Sequence, residues 1–272
     1  MTVLDDIIVG VKEDMEARRR LVSLVELKDR VAAAAPARDA WAALGGPASN
    51  RDDLKVIAEI KRRSPSKGDL APIDDPASLA VQYEDGGASV ISVLTEKRRF
   101  GGSLADLDAV RAAVDIPLLR KDFTVDEYQI WEARAHGADL ILLIVAALSD
   151  SELADFNALS HELGMNVLVE THTEEEIERA VAAQAKIIGI NVRNLKTLGV
   201  DRSVFGSLAG LIPAEAVIVA ESGVRTAEDV THYAASGANA ILVGEALVSD
   251  STPRERITEF KAAGAAAIAV RN

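Results

Sequence analysis

The chain has no cysteine at all, and this absence excludes disulfides, thiolate metal ligands and cysteine nucleophiles. Positive charge is also scarce, because 30 Lys and Arg residues face 43 Asp and Glu residues and the formal net charge is −13. So acidic a protein repels a polyphosphate backbone, and we expect no nucleic acid partner.

Long apolar runs and a recognisable signal peptide are missing as well. The longest strongly apolar run covers residues 140–148, which is too short to cross a bilayer. The amino terminus, MTVLDDIIVG, has acidic residues where a signal peptide would have cations. We therefore expect a cytoplasmic protein without a membrane partner. What the chain does have is a hydrophobic content of 49% over 272 residues, enough for one large α/β domain or two small ones.

The first segment, residues 1–50, has the pattern of amphipathic helices. Its first apolar residues recur at three- and four-residue spacing: Leu4, Ile7, Ile8, Val11 and Met15. A second helix is predicted around residues 25–35, and the Gly and Pro residues of ALGGPASN (43–50) interrupt it. We expect this helical extension to cover one end of the domain that follows.

Eight short apolar runs follow over residues 55–260, separated by amphipathic segments that predict helices. The runs are VIAEI (56–60), SVISVL (89–94), PLLR (117–120), LILLIV (140–145), NVLVE (166–170), IIGIN (187–191), VIVAE (217–221) and AILVG (240–244). Runs that are apolar throughout are typical of strands buried on both faces. Strands that alternate with helices predict βαβ units and a parallel sheet.

Eight such units predict a (βα)8 barrel, a fold of ~250 residues, as one domain over residues 1–272. The alternative is a doubly wound open sheet, which would have fewer strands and a glycine-rich fingerprint after the first one. The first strand is instead followed by KRRSPSKG, and this favours the barrel. Glycines in DGGAS (85–89), HGAD (136–139) and SGANA (236–240) are predicted to close helices before the next strand.

The active site of such a barrel forms at the carboxyl ends of its strands. Strand side chains alternate between faces, and this alternation places polar side chains at the inward-facing ends of five strands. They are Glu59 and Lys61, Lys121, Glu170, Asn191 and Arg193, and Glu221. Arg120 has the opposite parity to Lys121, so we expect it to point outward and to pair with Asp122 or a helix residue. The fourth strand offers only apolar residues as a wall.

Taken singly, each of these polar residues is most simply a solvated residue at the rim, and Arg193 alone would be a surface ion-pair partner. The joint pattern favours a functional site, because burial of unpaired charges costs several kcal/mol each. The arginines outside this pattern are interpreted as solvated charges: Arg62, Arg63, Arg98 and Arg99.

Glycines follow the last two strands, in AESGV (220–224) and VGEAL (243–247). Phosphate sites in these barrels form from the loops after strands seven and eight. Ser222, Gly223 and Gly244 fit that design, since glycine lets the backbone approach the phosphate oxygens. Simple strand-to-helix turns are the alternative for either glycine alone, and the pair favours phosphate.

These segments resemble a known family. VIAEIKRRSPSKG, LLRKDF, LVETHTEEE, IGINVRNL, VAESGV and LVGEAL are similar to the signature segments of indole-3-glycerol phosphate synthases of tryptophan biosynthesis. The resemblance covers roughly residues 3–260. It implies a carboxy-lyase that converts 1-(2-carboxyphenylamino)-1-deoxyribulose 5-phosphate into indole-3-glycerol phosphate, with loss of carbon dioxide and water. It also implies no metal and no organic cofactor, and other enzymes of tryptophan biosynthesis as candidate partners.

The resemblance implies catalytic roles for five residues. Lys121 matches the general acid, and Glu59 and Glu170 match the residues that remove the hydroxyl and a ring proton. Lys61 and Asn191 match positions beside the anthranilate carboxylate and the ribulose part, and Lys61 is also placed to assist proton transfer or to contact phosphate. We expect partial burial and neighbouring cations such as Lys61 to lower the pKa of Lys121, while Glu59 and Glu170 keep enough charge to hold it protonated.

The remaining matches are substrate-binding positions: Ser64, Phe123, Arg193, Glu221, Ser222, Gly223 and Gly244. Ser64 and Arg193 match positions around the anthranilate carboxylate and the ribulose part. Phe123 matches a position beside the aromatic ring, and Glu221 one near the sugar hydroxyls. The last three form the phosphate site. Glu245 stands where some members have serine. Because a carboxylate would repel phosphate, we expect Glu245 to point away.

Four other functions compete with this interpretation. A Schiff-base aldolase would use Lys121 as its nucleophile. Phosphoribosylanthranilate isomerase and the tryptophan synthase α chain are related barrels, but the paired EIKRRSPS and LLRKDF motifs argue against both. A catalytically inactive phosphate-binding or scaffolding protein would not need every acid and base that this chain has.

Overall fold

A computed structural model describes residues 3–46, 52–195, 197–248 and 252–271. Within these residues, eight parallel strands form a closed barrel, which confirms the predicted (βα)8 architecture. They are β1 (Lys55–Ile60), β4 (Val90–Leu94), β5 (Leu118–Lys121), β6 (Leu140–Ile144), β7 (Asn166–Thr171), β8 (Ile187–Asn191), β9 (Val217–Glu221) and β10 (Ala240–Val243). Pairing of β10 with β1 closes the ring. The loop after β1 holds a small antiparallel ribbon of β2 (Arg63–Ser64) and β3 (Gly68–Asp69).

The helices are α1 (Val3–Leu21), α2 (Leu24–Ala33), α3 (Ala40–Ala43), α4 (Pro76–Asp85), α5 (Leu104–Ala113), α6 (Glu127–Ala135), α7 (Asp150–Glu162), α8 (Glu174–Ala182), α9 (Phe205–Ala209), α10 (Ala227–Ala235), α11 (Glu245–Val248) and α12 (Pro253–Arg271). Ser or Asp side chains cap several helix starts, as Ser149 does for α7. Gly87, Gly137 and Gly237 have positive φ after α4, α6 and α10, so the predicted glycine stops are confirmed. No helix in the described part of the chain is long and apolar enough to cross a membrane.

Apolar side chains fill two separate layers of the barrel. One layer lies between strands and helices and includes Val56, Ile141 and Tyr233. The other lies inside the strand ring and includes Ile57 and Leu140. Each strand therefore buries both of its faces, which explains why the strands are apolar almost throughout.

The amino-terminal extension contacts both ends of the barrel, whereas the sequence predicted one. Ala40 and Leu44, in and just after α3, pack against the apolar residues inside the strand ring. The start of α1 reaches the opposite end, where Leu4 and Ile7 line the pocket described below. The predicted break at residues 43–50 lies partly outside the described residues, which resume at residue 52.

Arg120 points outward from β5 into a buried polar cluster, as predicted. Its Nη2 lies 2.9 Å from Glu132 of α6 and 3.2 Å from Asp122, and its Nη1 donates to the carbonyl of Gln129 at 3.0 Å. Arg18 of α1 pairs with the same Glu132 at 2.7 Å. The cluster therefore attaches α1 and α6 to the barrel wall.

Two of the arginines interpreted as solvated charges are anchored instead. Arg62 pairs with Asp106 of α5 at 2.7 Å and donates to the carbonyl of Ile73. Arg98, in the loop after β4, pairs with Glu13 and Asp14 of α1 at 2.8 Å and 2.7 Å. Arg62 is half-buried by its partners, so the interpretation was wrong for it, whereas Arg98 remains an exposed charge within its ion pairs. Partners from distant segments are invisible in a local pattern.

Candidate active site

A pocket opens at the carboxyl ends of the strands, on the face where the sequence predicted the active site. Every residue proposed from the sequence lines it: Glu59, Lys61, Ser64, Lys121, Phe123, Glu170, Asn191, Arg193, Glu221, Ser222, Gly223 and Gly244. The strand ends bring them together because parallel strands of one barrel end at one rim. The chemical role of each of these residues is a proposal.

Lys121 stands at the centre of three buried carboxylates. Its Nζ lies 3.8 Å from Oε2 of Glu170, 3.8 Å from Oε2 of Glu221 and 4.0 Å from Oε2 of Glu59. Lys61 pairs with the other oxygen of Glu59 at 2.5 Å. The four charged groups around Lys121 come from β7, β9 and the end of β1, so only barrel closure assembles them.

The pKa of Lys121 is raised, so the expected lowering was wrong. Burial does lower the pKa of this ammonium, but Glu170, Glu221 and Glu59 outweigh burial. Strand alternation predicted which groups surround Lys121, but the relative strength of their effects on its pKa depends on distances that the sequence does not give. Lys121 is therefore a stable cation at neutral pH.

The three carboxylates differ in their affinity for a proton. Burial raises the pKa of Glu59, yet Lys61 and Lys121 lower it below its ordinary value. Burial also raises the pKa of Glu170, but His172 and Lys121 bring it down to about 2. Burial and the neighbouring Glu170 hold the pKa of Glu221 well above its ordinary range. Glu170 is thus ionised near neutral pH, and Glu221 holds a proton more strongly than Glu170 or Glu59.

Two glycines make room for these acids. A Cβ on Gly189 of β8 would lie 2.0 Å from Oε1 of Glu221, and one on Gly244 would lie 2.7 Å from Oε1 of Glu59. Real Cβ atoms do not approach oxygen so closely, so any other residue would displace the carboxylate. Gly244 therefore leaves space for the Glu59 carboxylate, in addition to its predicted role in phosphate binding.

Asn191 links β8 to the loop after β9. Its Oδ1 accepts the backbone N–H of Arg193 at 3.1 Å and the hydroxyl of Ser222 at 2.9 Å. Because the amide oxygen accepts these two hydrogen bonds, the amide nitrogen is the atom that faces Glu170. Its hydrogen bond to the Glu170 carboxylate lowers the pKa of Glu170. The Arg193 guanidinium donates to the carbonyl of Leu198 at 2.9 Å, within its own loop.

The loop after β9 contains two successive residues with positive φ. Ser222 and Gly223 have φ values of 69° and 78°, in the left-handed region. The Tyr233 hydroxyl donates to the carbonyl of Ser222 at 3.0 Å, and Arg202 donates to that of Gly223 at 2.7 Å. Both carbonyls are thereby turned toward α10 and Arg202. With these carbonyls engaged away from the pocket, the backbone N–H groups of the turn are candidates for binding an anion.

Glu245 is neutralised by a partner that the sequence did not suggest. Its carboxylate pairs with Lys67, which lies in the β2–β3 ribbon. This contact joins the loop after β1 to the start of α11 across the mouth. Glu245 remains in the pocket lining rather than pointing fully away.

Apolar residues form the opposite wall of the pocket. Leu142 and Ile144 of β6 line it, as predicted for the fourth barrel strand. Phe123 and Phe100 pack with ring centroids 6.0 Å apart. Phe100 was missed because it lies in a loop, where strand alternation gives no direction. Leu4 of α1 also lines the pocket. The apolar periodicity of α1 predicted that Leu4 is buried, but it did not predict which part of the protein Leu4 contacts.

His172 is a further missed residue, just beyond the end of β7. Its Nε2 lies 3.4 Å from Oε1 of Glu170, and its Nδ1 lies 3.1 Å from Oε2 of Glu176. Burial lowers the pKa of His172, but the two carboxylates raise it to about 10. The sequence signal was available, since a histidine two residues after a strand-end glutamate shares its parity. The described residues contain no group of three or more His, Asp or Glu side chains placed to hold a metal ion.

The family model described as indole-3-glycerol phosphate synthase matches residues 4–260. The chain belongs to the indole-3-glycerol phosphate synthase family. The family member of Paenarthrobacter aurescens (strain TC1) is 91% identical over 272 residues, with 100% of each chain covered. That of Arthrobacter sp. (strain FB24) is 82% identical over 271 residues, again with 100% of each chain covered. Indole-3-glycerol phosphate synthase 1 of Streptomyces coelicolor is 60% identical over 264 residues, covering 97% of this chain and 96% of its own.

Solved structures with little sequence similarity share the barrel. Thiamine phosphate pyrophosphorylase from Pyrococcus furiosus superposes with a TM-score of 0.61 at 15% identity, over 80% of this chain and 98% of its own. The 3-hexulose-6-phosphate synthase from Salmonella typhimurium superposes with a TM-score of 0.61 at 14% identity, over 80% of this chain and 100% of its own. At such identities the likeness concerns the fold alone. Membership of the synthase family rests on the sequence matches.

Proposed function

We propose that the mouth of this barrel carries out the reaction of its family with Lys121 as the central general acid. The reaction converts 1-(2-carboxyphenylamino)-1-deoxyribulose 5-phosphate into indole-3-glycerol phosphate, and the enzyme is a carboxy-lyase. The observation that supports these roles best is a single buried ammonium surrounded by three carboxylates beside an apolar wall. That arrangement supplies an acid, a base and a surface for an aromatic ring in one site.

Ring closure is the step assigned to Lys121. The aromatic carbon that bears the carboxylate attacks the ketose carbonyl, whose oxygen takes up negative charge and then a proton. Lys121 is a cation through neutral pH, so it can polarise that carbonyl and deliver the proton. Carbon dioxide then leaves with the ring carbon–carboxylate bond, and the electron pair restores the aromatic ring.

The later steps need a base and an acid. Formation of the indole double bond expels the new hydroxyl as water and removes a proton from the neighbouring carbon. Glu170 is ionised and suits the base. Glu59 and Lys61, which pair at 2.5 Å, form a second acid–base couple at the mouth that can protonate the departing hydroxyl. Glu221, whose pKa is raised by burial and Glu170, is the carboxyl best suited to donate a proton to a sugar hydroxyl.

Substrate binding divides the pocket into two ends. The Ser222–Gly223 turn and Gly244 are assigned to the phosphate, with backbone N–H groups as donors. Phe123 and the β6 wall are assigned to the aromatic ring. Lys61, Ser64, Asn191 and Arg193 lie around the space between these ends and are assigned to the anthranilate carboxylate and the ribulose part.

A Schiff-base aldolase is disfavoured by the electrostatics of Lys121. A nucleophilic lysine must lose its proton, and enzymes achieve this with apolar surroundings or a neighbouring cation. Three carboxylates within 4.0 Å of Nζ have the opposite effect. Borohydride treatment in the presence of a ketose phosphate should therefore leave Lys121 unmodified.

A single-turnover assay tests the proposed function directly. Excess enzyme is mixed with the carboxyphenylamino substrate, and indole fluorescence is followed in time. Wild-type protein and Arg120→Lys, a conservative change on the outer face, should give product at similar rates, and Lys121→Met should form it ~10²-fold or more slowly. Absence of indole fluorescence with the folded wild-type protein would refute the proposal.

Three broader assignments accompany this function. We infer a cytoplasmic location, since the substrate is a small phosphorylated metabolite, and cell fractionation tests it. We infer that residues 1–272 unfold as one domain, because α1 and α3 pack on both ends of the barrel; coincident fluorescence and circular dichroism transitions test this. Other enzymes of tryptophan biosynthesis are proposed as partners, and co-sedimentation with each of them tests that.

A further inference from the structure

Glu170 and Glu221 form a buried pair of acids at equal distances from the Lys121 ammonium. Lys121 Nζ lies 3.8 Å from Oε2 of each, and both side chains are almost fully buried. Two neighbouring carboxylates with one shared cation tend to share one proton. Lys121 alone therefore gives no reason for the proton to reside on Glu221 rather than on Glu170.

His172 breaks this symmetry. Its ring contacts Glu170 at 3.4 Å, on the oxygen that does not face Lys121. The opposite ring nitrogen contacts Glu176 near the start of α8 at 3.1 Å, and the Glu176 carboxylate also accepts the backbone N–H of His172 at 2.7 Å. The imidazole is thus fixed between two carboxylates, only one of which belongs to the pocket.

We propose that His172 is a positioning residue that, as an imidazolium held by Glu176, makes Glu170 rather than Glu221 the ionised carboxylate of the pair. The proposal rests on the assignment of Glu170 as base and explains how that base is kept free of the proton. Glu170 then has a cation on each side, with Lys121 at one oxygen and His172 at the other.

The charges around His172 support this state of the ring. Glu170 faces it from β7 and Glu176 from α8, and these carboxylates raise the pKa of His172 to about 10 despite its burial. Beyond Glu170 lie Lys121 and Glu221. Burial and Glu170 raise the pKa of Glu221 more than Lys121 and the nearby His172 lower it. With Glu176 hydrogen-bonded to Nδ1 and the Glu170 carboxylate 3.4 Å from Nε2, the imidazolium is the form that these charges favour.

Histidine titration by NMR tests the proposal without turnover. The chain has four histidines, and the signal absent from His172→Gln identifies the one in question. If that variant does not fold, assignment follows by elimination with His136→Gln, His161→Gln and His232→Gln. We expect His172 to remain protonated through neutral pH, and its pKa to fall by about one unit or more in Glu170→Gln.

Titration of His172 near the ordinary value of about 6.5 in the wild type would overturn the proposal. So would a titration that is unchanged in Glu170→Gln. Neither result depends on catalysis. Failure here is therefore distinct from failure of the assignment of Glu170 as base, which near-normal turnover of Glu170→Gln would indicate, and from failure of the proposed function, which absence of product with the wild type would indicate.

The pH profile supplies the functional readout. In His172→Gln the acid limb of kcat/KM should move upward by about one pH unit or more, because Glu170 then competes with Glu221 for the proton. Glu176→Gln should shift it in the same direction by less. His136→Gln, which removes a histidine paired with Asp108 at 2.7 Å on the surface, should leave the profile unchanged. A purely structural His172 would lower the rate at all pH values without moving the limb, and that outcome would also overturn the proposal.

Discussion

The Arg120 guanidinium lies 2.9 Å from the Glu132 carboxylate, on the helix side of β5. The next residue, Lys121, has its ammonium 3.8 Å from Glu170 on the other side of the same strand. One peptide bond thus separates a cation that attaches a helix to the barrel from a cation at the centre of the pocket. Mutation of each should therefore affect a different property of the protein.

Lys121→Met keeps most of the length of the side chain and removes its proton. We expect ring closure to slow by ~10²-fold or more, the usual effect of losing a positioned general acid, while much of the substrate affinity remains. Stopped-flow indole fluorescence and substrate binding measure the two quantities. A nearly normal rate in this variant would show that another group is the acid.

Arg120→Met should lower the free energy of unfolding, because it leaves Asp122 and Glu132 buried with less compensation. Loss of one partner of a buried ion pair costs about 3–5 kcal/mol, and the remaining contact of Glu132 with Arg18 favours the lower end. Urea unfolding measures this, and the folded fraction should retain its turnover number. If Arg120→Met were stable and inactive, the strand orientation would be wrong.

Glu170→Gln preserves the size of the side chain and removes its basicity. The rate should fall by ~10²–10⁴-fold if Glu170 transfers a proton in the closing steps. Single-turnover kinetics give the rate, and circular dichroism checks the fold. A near-normal rate would leave Glu170 with a role in positioning only.

Inorganic phosphate should compete with the substrate, because the Ser222–Gly223 turn and Gly244 are assigned to the phosphate group. Gly223→Val should raise KM more than it lowers kcat, since phosphate binding is similar in the ground and transition states. Gly223 has a φ of 78°, so some loss of stability is also expected, and thermal unfolding defines the range in which the kinetics are measured. An unchanged KM would exclude the turn from phosphate binding.

Gly189→Ala should displace Glu221, because the new Cβ would lie 2.0 Å from the carboxylate oxygen. Activity and stability should both fall. In the double variant Gly189→Ala, Glu221→Ala the clash is absent, so the stability cost of Gly189→Ala should be smaller than in the wild-type background. Equal costs in the two backgrounds would mean that Gly189 does not act through Glu221.

His172 predicts how stability changes with alkaline pH. Its pKa in the folded protein is raised to about 10, above the unfolded value of about 6.5. The protonated ring therefore contributes its full stabilisation below pH ~6.5, and this contribution declines as pH rises and is lost above about 10. Urea unfolding of wild type and His172→Gln should differ most at pH 6 and least above pH 10. A constant difference would contradict the raised pKa.

The sequence by itself determined the barrel and the face on which its pocket opens. The apolar runs, the glycine stops such as Gly137 and the strand alternation that separates Arg120 from Lys121 are local properties, set by backbone geometry and by burial of both strand faces. The signature segments likewise predicted the family that the whole-chain comparisons show.

Only the tertiary structure decided which charges face each other and how strongly. The raised pKa of Lys121, the contact of His172 with Glu170, the pairing of Glu245 with Lys67 and the reach of α1 to the mouth all depend on distances between segments far apart in the chain. Electrostatic energies vary with distance and burial, and neither can be read from the order of residues. The sequence therefore predicted which groups meet at the mouth, and barrel closure determined their protonation states.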